Sequence, residues 1–349
     1  MTSLQHSELP PFEPAVILAA GVDENTVPRG MVHRAAVSEV FLTGAQRVGA
    51  RHFRCLAQLP RTHSYFSEHT HRDAHYDMLL LLEVFRQASI YISHAFLEVS
   101  TEDKFIYLDS DTQVTDPAAL VVGKRPASAL IDVWVVDEYV RHGQRSGVTL
   151  DMTLAINGRI AARHDRMAIR WMSTAAWNKM RSRAIAATAA HVDPRAQLPA
   201  PLAPFQVGRH WLNNVVLGRE VELDAEQLVG TLIVDQGNPA IFDHPLDHIP
   251  GMLLLEGFRQ IALLAAKRQV GLAPDELRLS RASVVFARFG EFGLATRVKA
   301  RLDSLRVAED GRVGVSLSVE QSGSNLATAE VELQRLVAPV VLAAAGGAR

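Results

Sequence analysis

The chain has 349 residues, 48% hydrophobic and 21% charged, which is the composition of an ordinary globular protein with enough apolar mass for two cores. Its 36 Lys and Arg stand against 38 Asp and Glu, so it lacks the basic excess of a nucleic-acid-binding protein and no nucleic-acid partner is expected. The one cysteine, Cys55, excludes an internal disulfide framework and a cysteine-based metal or redox motif, and it suits a reducing cytoplasm.

Met1 to Pro14 is polar and carries proline, without the charged start and apolar run of a signal peptide. An extended stretch is expected over Ala36 to Leu42, then a turn, then a helix over Met78 to Phe96. That helix has no internal proline and is apolar on nearly every face, so it must be enclosed. Alternating β-branched stretches at Ala129 to Val136, Val148 to Ile156 and Ile160 to Trp171 predict antiparallel strands. Ala184 to Pro204 is alanine-rich and contains Pro194, Pro199, Pro201 and Pro204, which predicts a stiff connection without regular structure. The order then recurs, with an extended stretch over Leu212 to Leu217, a helix over Met252 to Gln269, and strands over Ala295 to Leu305, Val313 to Gln321 and Leu326 to Leu336. Leu336 to Ala348 is too short to span a bilayer and is interrupted by Pro339, so a frayed tail and no membrane partner are expected.

The recurrence extends to individual residues. His71-x3-His75 followed by Leu80-Leu81-Leu82-Glu83-x-Phe85-Arg86-Gln87 returns as His244-x3-His248 followed by Leu253-Leu254-Leu255-Glu256-x-Phe258-Arg259-Gln260, at a constant offset of 173. Charged residues are among the matches, so shared apolar composition does not account for them, and a period this long implies a duplicated domain. The expected organisation is a first unit over 15–190, a linker over 191–204 with the boundary near residue 195, a second unit over 205–337 and a flexible tail over 338–349. An antiparallel sheet curled around one long buried helix covers such a helix with few others available, so the fold class is α+β, a tandem double hot-dog. Unpaired sheet edges invite association, so the units should pack as a pseudo-dimer within one chain, with a continuous sheet. Oligomeric state beyond that is left open.

Several motifs together resemble the A-factor biosynthesis (AfsA-type) family of double hot-dog enzymes. In the first half they are Val32-His33-Arg34, Ser38-Glu39-Val40-Phe41-Leu42-Thr43, His63-Ser64-Tyr65-Phe66 and Tyr76-Asp77-x-Leu79-Leu80-x-x-Glu83-x-x-Arg86-Gln87. In the second half they are Asp243-His244-Pro245-x-Asp247-His248-x-Pro250-Gly251-Met252-x-x-x-Glu256-x-x-Arg259-Gln260 and Phe286-Ala287-Arg288-Phe289. Met78 stands where that family commonly has proline. The resemblance implies an acyltransferase: a β-ketoacyl thioester, on acyl carrier protein or coenzyme A, gives its acyl group to the hydroxyl of dihydroxyacetone phosphate. Intramolecular condensation then yields a butenolide phosphate, precursor of a γ-butyrolactone or butenolide signal.

The candidate site residues follow from chemistry. Glu83 with Arg86 and Glu256 with Arg259 lie three apart on a helix and share a face; they are either internal ion pairs or ionisable groups kept in an apolar setting for acid–base work. A carboxylate with a raised pKa could take the proton of the attacking hydroxyl, with Glu256 the first choice and Glu83 the second. Arg259 or Arg86 would grip the acceptor phosphate with a planar fork, and Arg34 and Arg288 are the basic alternatives outside the helices. Gln87 and Gln260 extend the same rows as substrate contacts or as partners of the backbone. Gly251, after Pro250, opens the second helix, whose unpaired amides could polarise a thioester carbonyl; plain helix initiation is the alternative. Only the second unit has this Pro-Gly pair, so the two potential sites should not be equivalent. His244 is expected to contact substrate and His248 to act as an auxiliary acid, with Asp243 and Asp247 orienting the rings. Zinc is not expected, because no glutamate occupies the metalloprotease position and no cysteine partner exists. No glycine-rich phosphate loop or nucleotide fingerprint is present, so no cofactor is expected.

A thioesterase or dehydratase on the same fold is the nearest enzymatic rival, and an acyl-ligand-binding regulatory module the non-enzymatic one. Hot-dog dehydratases place their histidine two residues further ahead of the Pro-Gly turn than His244, where this chain has Phe242.

Overall fold

The computed structural model describes residues 24–68, 74–192 and 197–336. His71, the segment Met1 to Pro14, the boundary near residue 195 and the tail over 338–349 lie outside the described residues.

The first unit runs β1 (Leu42–Arg47), β2 (His52–Leu59), α1 (Met78–Phe96), β3 (Lys104–Val114), β4 (Ala127–Arg141), β5 (Gln144–Ile156), β6 (Arg159–Met172) and α2 (Thr174–Thr188). The second runs β7 (Leu217–Leu223), β8 (Gln227–Leu232), α3 (Gly251–Val270), β9 (Leu277–Phe286), β10 (Thr296–Arg301), the short β11 (Arg306–Val307), β12 (Val313–Gln321) and β13 (Ser324–Arg335). The strands form one sheet in the order β1-β2-β4-β5-β6-β3-β9-β13-β12-β10-β8-β7, with β11 on β12. The order is symmetric about the seam between β3 and β9. Asp109 pairs there with Val285 and Thr112 with Ala282, the register that a 173-residue repeat requires about a two-fold axis. An ion pair from Arg281 Nε to Asp111 Oδ1 (3.0 Å) crosses the same seam.

Each long helix lies against the sheet of its own unit. Leu79, Leu80, Leu81 and Leu82 are consecutive and all buried, so α1 has no solvent face at this level. Full burial of a leucine is worth roughly 1.5–3 kcal/mol, and Leu81→Ala would cost roughly 2–5 kcal/mol through the cavity it leaves. The Asp77 side chain caps α1 by accepting from the Leu79 amide at 2.8 Å, which supplies the start signal that proline at position 78 would otherwise reinforce.

Two expectations are corrected. Ala36 to Leu42 and Leu212 to Leu217 are mostly not extended: 3-10 turns occupy Val37–Glu39 and Leu212–Asn214, and the strands begin at Leu42 and Leu217. The cause is a side chain acting as a strand partner. Gln87 accepts from the Phe41 amide (2.9 Å) and donates to the Glu39 carbonyl (2.7 Å), while Gln260 accepts from the Val216 amide (2.9 Å) and donates to the Asn214 carbonyl (2.8 Å). The connection, in turn, does not lack regular structure from Ala184 onward, because α2 continues to Thr188 before a 3-10 turn at Ala189–His191. Alanine is the best helix former and no proline intervenes before residue 194. α2 packs on the second unit, where Arg181 holds Glu291 with two bonds of 2.8 Å and Trp177 Nε1 donates to Asp247 Oδ2 at 2.9 Å.

Candidate active site

The 3.6-residue repeat puts Glu83, Arg86 and Gln87 on one side of α1 and Glu256, Arg259 and Gln260 on one side of α3. Both carboxylates are fully buried, and each is held by two arginines. Around Glu83, Arg86 donates from Nε (2.8 Å) and Nη2 (2.8 Å), Arg34 from Nε (3.0 Å), and Gln87 from Nε2 (2.7 Å). Around Glu256, Arg259 donates from Nε (3.1 Å) and Nη2 (2.7 Å), Arg209 from Nε (3.1 Å), and the Tyr65 hydroxyl at 2.9 Å. The second arginine of each cluster was not anticipated as part of a repeat. Its signal is nonetheless present: Val32-x-Arg34, Val40 and Leu42 return as Val207-x-Arg209, Val215 and Leu217, at an offset of 175. A two-residue change of spacing before the helices hides this match from a search at a single offset.

Burial opposes the charge on both glutamates, but the flanking guanidiniums outweigh it and hold each carboxyl at about 2. The raised pKa expected of a general base is therefore reversed. With their oxygens engaged by donors and no contact with solvent, these carboxylates aim the arginines and are not open to a substrate hydroxyl.

The clusters face different spaces. Beside Arg34 and Arg86 opens a cleft of about 920 Å³ that runs between the units. Its walls include Leu82, Ile90, Phe105, Met167, Ile169 and Leu254, and its polar lining includes His33, Lys104, His244, His248, Gly251 and Arg288. Beside Arg259 there is a pocket of only about 30 Å³. The helix ends differ in the same sense. No side chain caps α3 at Pro250, and Gly251 lies on the cleft, whereas the start of α1, on the small pocket, is filled by Asp77, which also lies 3.6 Å from Arg259. One site is open with donors to spare, and the other is closed and internally neutralised.

The structure thus brings Arg86, His244, His248 and Gly251 to one cleft and sets Glu256, Arg259 and Gln260 apart from it. Gln87 and Gln260 both act on backbone, as described above, and each donates from Nε2 to the glutamate of its own helix. His248 donates from Nδ1 to Asp247 Oδ1 at 2.6 Å, and burial lowers its pKa against the pull of that carboxylate. The neutral ring presents Nε2 as an acceptor, opposite in sense to the acid role expected of it. Asp243 accepts from the amides of Ala35 (2.5 Å) and Ala36 (3.0 Å), so the second unit holds the arm that carries His33 and Arg34. Among the described residues, no group of three His, Cys, Asp or Glu side chains is placed to hold a metal ion, and no helix is long and apolar enough to cross a membrane.

The chain matches the A-factor biosynthesis hotdog domain twice, over residues 21–172 and 190–336. It is 41% identical over 239 residues to a 2-oxo-3-(phosphooxy)propyl 3-oxoalkanoate synthase of Streptomyces virginiae, covering 68% of this chain and 76% of that one. A protein of the same name from Streptomyces griseus is 31% identical over 299 residues, covering 85% and 91%. Among solved structures, a putative oleoyl thioesterase from Lactobacillus plantarum aligns with a TM-score of 0.49 at 12% identity, over 84% of this chain and 100% of that one. The chain belongs to the A-factor biosynthesis hotdog family.

Proposed function

We propose that the protein is a 2-oxo-3-(phosphooxy)propyl 3-oxoalkanoate synthase, an acyltransferase that joins a 3-oxoacyl group from a thioester to the hydroxyl of dihydroxyacetone phosphate. The hydroxyl oxygen bonds to the thioester carbonyl carbon, the carbon–sulfur bond breaks, and the hydroxyl proton ends on the thiol. The ester can then close by intramolecular condensation, with loss of water, to a butenolide phosphate.

The observation that carries this reading is the open cleft, where an apolar wall for an acyl chain meets Arg34, Arg86, Lys104 and Arg288 and the uncapped start of α3. Arg34 and Arg86 are fixed by Glu83 on their Nε and Nη2 edges, which leaves Nη1 of each for a phosphate at small cost in side-chain entropy. Amides at the start of α3 suit the oxyanion that develops on the thioester carbonyl. The reaction is assigned to this cleft, and the Glu256 cluster becomes the structural counterpart of the Glu83 cluster.

Purified protein with a 3-oxoacyl thioester, on coenzyme A and separately on acyl carrier protein, tests the reading by mass spectrometry with and without dihydroxyacetone phosphate. A phosphorylated ester that forms only with the acceptor present is the expected result. Free acid released at the same rate in both would refute transfer in favour of thioester hydrolysis.

A further inference from the structure

The open and closed sites share the glutamate, both arginines and the glutamine, so those residues do not account for the difference between them. Three other positions do. His33, His94 and Lys104 serve the open cleft, and their repeat counterparts are Gly208, Lys267 and Leu277. By contrast His244 and His248, the other histidines on the cleft, have histidine counterparts in His71 and His75.

His33 lies on the cleft, and its Nε2 is 2.9 Å from His94 Nε2. His94 is buried at the end of α1, and its Nδ1 is 2.9 Å from the Val99 carbonyl. A carbonyl oxygen only accepts, so His94 carries its proton on Nδ1. With both rings neutral, His94 Nε2 accepts from His33 Nε2–H, and the lone pair of His33 is left on Nδ1. The chain of bonds thus fixes the tautomer of a histidine beside the arginines assigned to the phosphate.

Resting on the function proposed above, we propose that His33 takes the proton of the attacking hydroxyl at Nδ1, with His94 as the residue that positions it and receives its relayed proton. As the new oxygen–carbon bond forms, the hydroxyl proton passes to His33 Nδ1 and the Nε2 proton passes to His94 Nε2. When the carbon–sulfur bond breaks, both transfers reverse and the thiolate is protonated. The groups facing His33 are His94 and Arg86 on α1, Lys104 on β3 and His244 ahead of α3. Burial first, then these neighbours, hold the free ring at about 3, which keeps it neutral but weakly basic. A phosphate dianion bound by Arg86 and Lys104 cancels part of that repulsion, so the acceptor substrate strengthens the base that activates it. Water entering without phosphate meets a weaker base, which favours transfer over hydrolysis.

His33 sits in the left-handed region (φ 52°), as does Gly208 (φ 69°), so His33→Gly keeps the backbone conformation of the repeat. In the full-length protein this variant should lose roughly 100-fold or more in kcat, with both KM values within about threefold, and added imidazole should restore turnover. His94→Phe should lower kcat and displace the acid limb of the pH profile while KM for both substrates stays in place. Undiminished turnover in His33→Gly, or loss of activity in His248→Gln alone, would overturn the proposal and move the base to His248. Nitrogen-15 NMR gives an arm independent of turnover. The Nε2–H tautomer of His33, with a titration midpoint that rises on adding dihydroxyacetone phosphate, is expected; an Nδ1–H tautomer or an unmoved midpoint would overturn the proposal even in a wild-type protein that makes no ester.

Discussion

Replacement of Glu256 by glutamine separates a structural carboxylate from a catalytic one. A carboxyl held at about 2 instead of the usual 4.5 contributes about 3 kcal/mol to stability at neutral pH. The amide cannot supply this, and it strands Arg209 and Arg259, both almost wholly buried, for which a loss of roughly 3–5 kcal/mol is the general experience with broken buried pairs. Urea unfolding at pH 7 should therefore show a midpoint far below that of the wild type with an unchanged slope. Turnover per folded molecule, measured well below the new midpoint, should remain within a few-fold of wild type, because Arg259 lines the pocket of about 30 Å³ and neither it nor Glu256 lines the cleft. A variant that unfolds within about 1 kcal/mol of wild type yet has no activity would refute this and restore Glu256 as the base.

Acid should destabilise the fold through both clusters: the contributions of Glu83 and Glu256 are complete above about pH 4.5 and fade as pH falls towards 2, which unfolding followed by circular dichroism across that range will show. Arg86→Lys keeps the charge but cannot hold Glu83 on one edge and offer Nη1 on the other, so KM for dihydroxyacetone phosphate should rise about tenfold with donor KM almost unchanged in initial-rate kinetics. Arg259→Lys should leave the acceptor KM as it is; a selective rise there would return the phosphate to the closed pocket. In Gly251→Val, the β-carbon would stand 3.3 Å from Phe286 Cζ, and displacement of the start of α3 should cut kcat roughly tenfold with little change in melting temperature.

Much of this fold is legible from periodicity. The helix over Met78–Phe96 and the strand over Val313–Gln321 match their expected bounds, because an all-round apolar run and strict alternation are strong local signals. The seam strands are not legible in the local sequence. Lys104–Val114 carries Asp109, Ser110, Asp111 and Thr112 in succession, which breaks alternation, and it is a strand by pairing on one side with β6 of its own unit and on the other with β9 of the second unit. The Glu-x-x-Arg-Gln repeat marked the right helices but not the difference between them. That difference lies in residues the repeat does not share, and in a cap, Asp77, whose carboxylate closes one site through space.

The carboxylate of Asp243, clamped on the amides of Ala35 and Ala36, makes the open cleft a property of the whole chain and not of its first half. The arm bearing His33 and Arg34 is set by one unit and used against the helix of its own, while Gly251 and His248 come from the other. If this cleft is the binding site, ligand should bind at a stoichiometry of one per chain. Two chains damaged in different halves cannot rescue each other by simple association; complementation would require exchange of entire units across the β3–β9 seam.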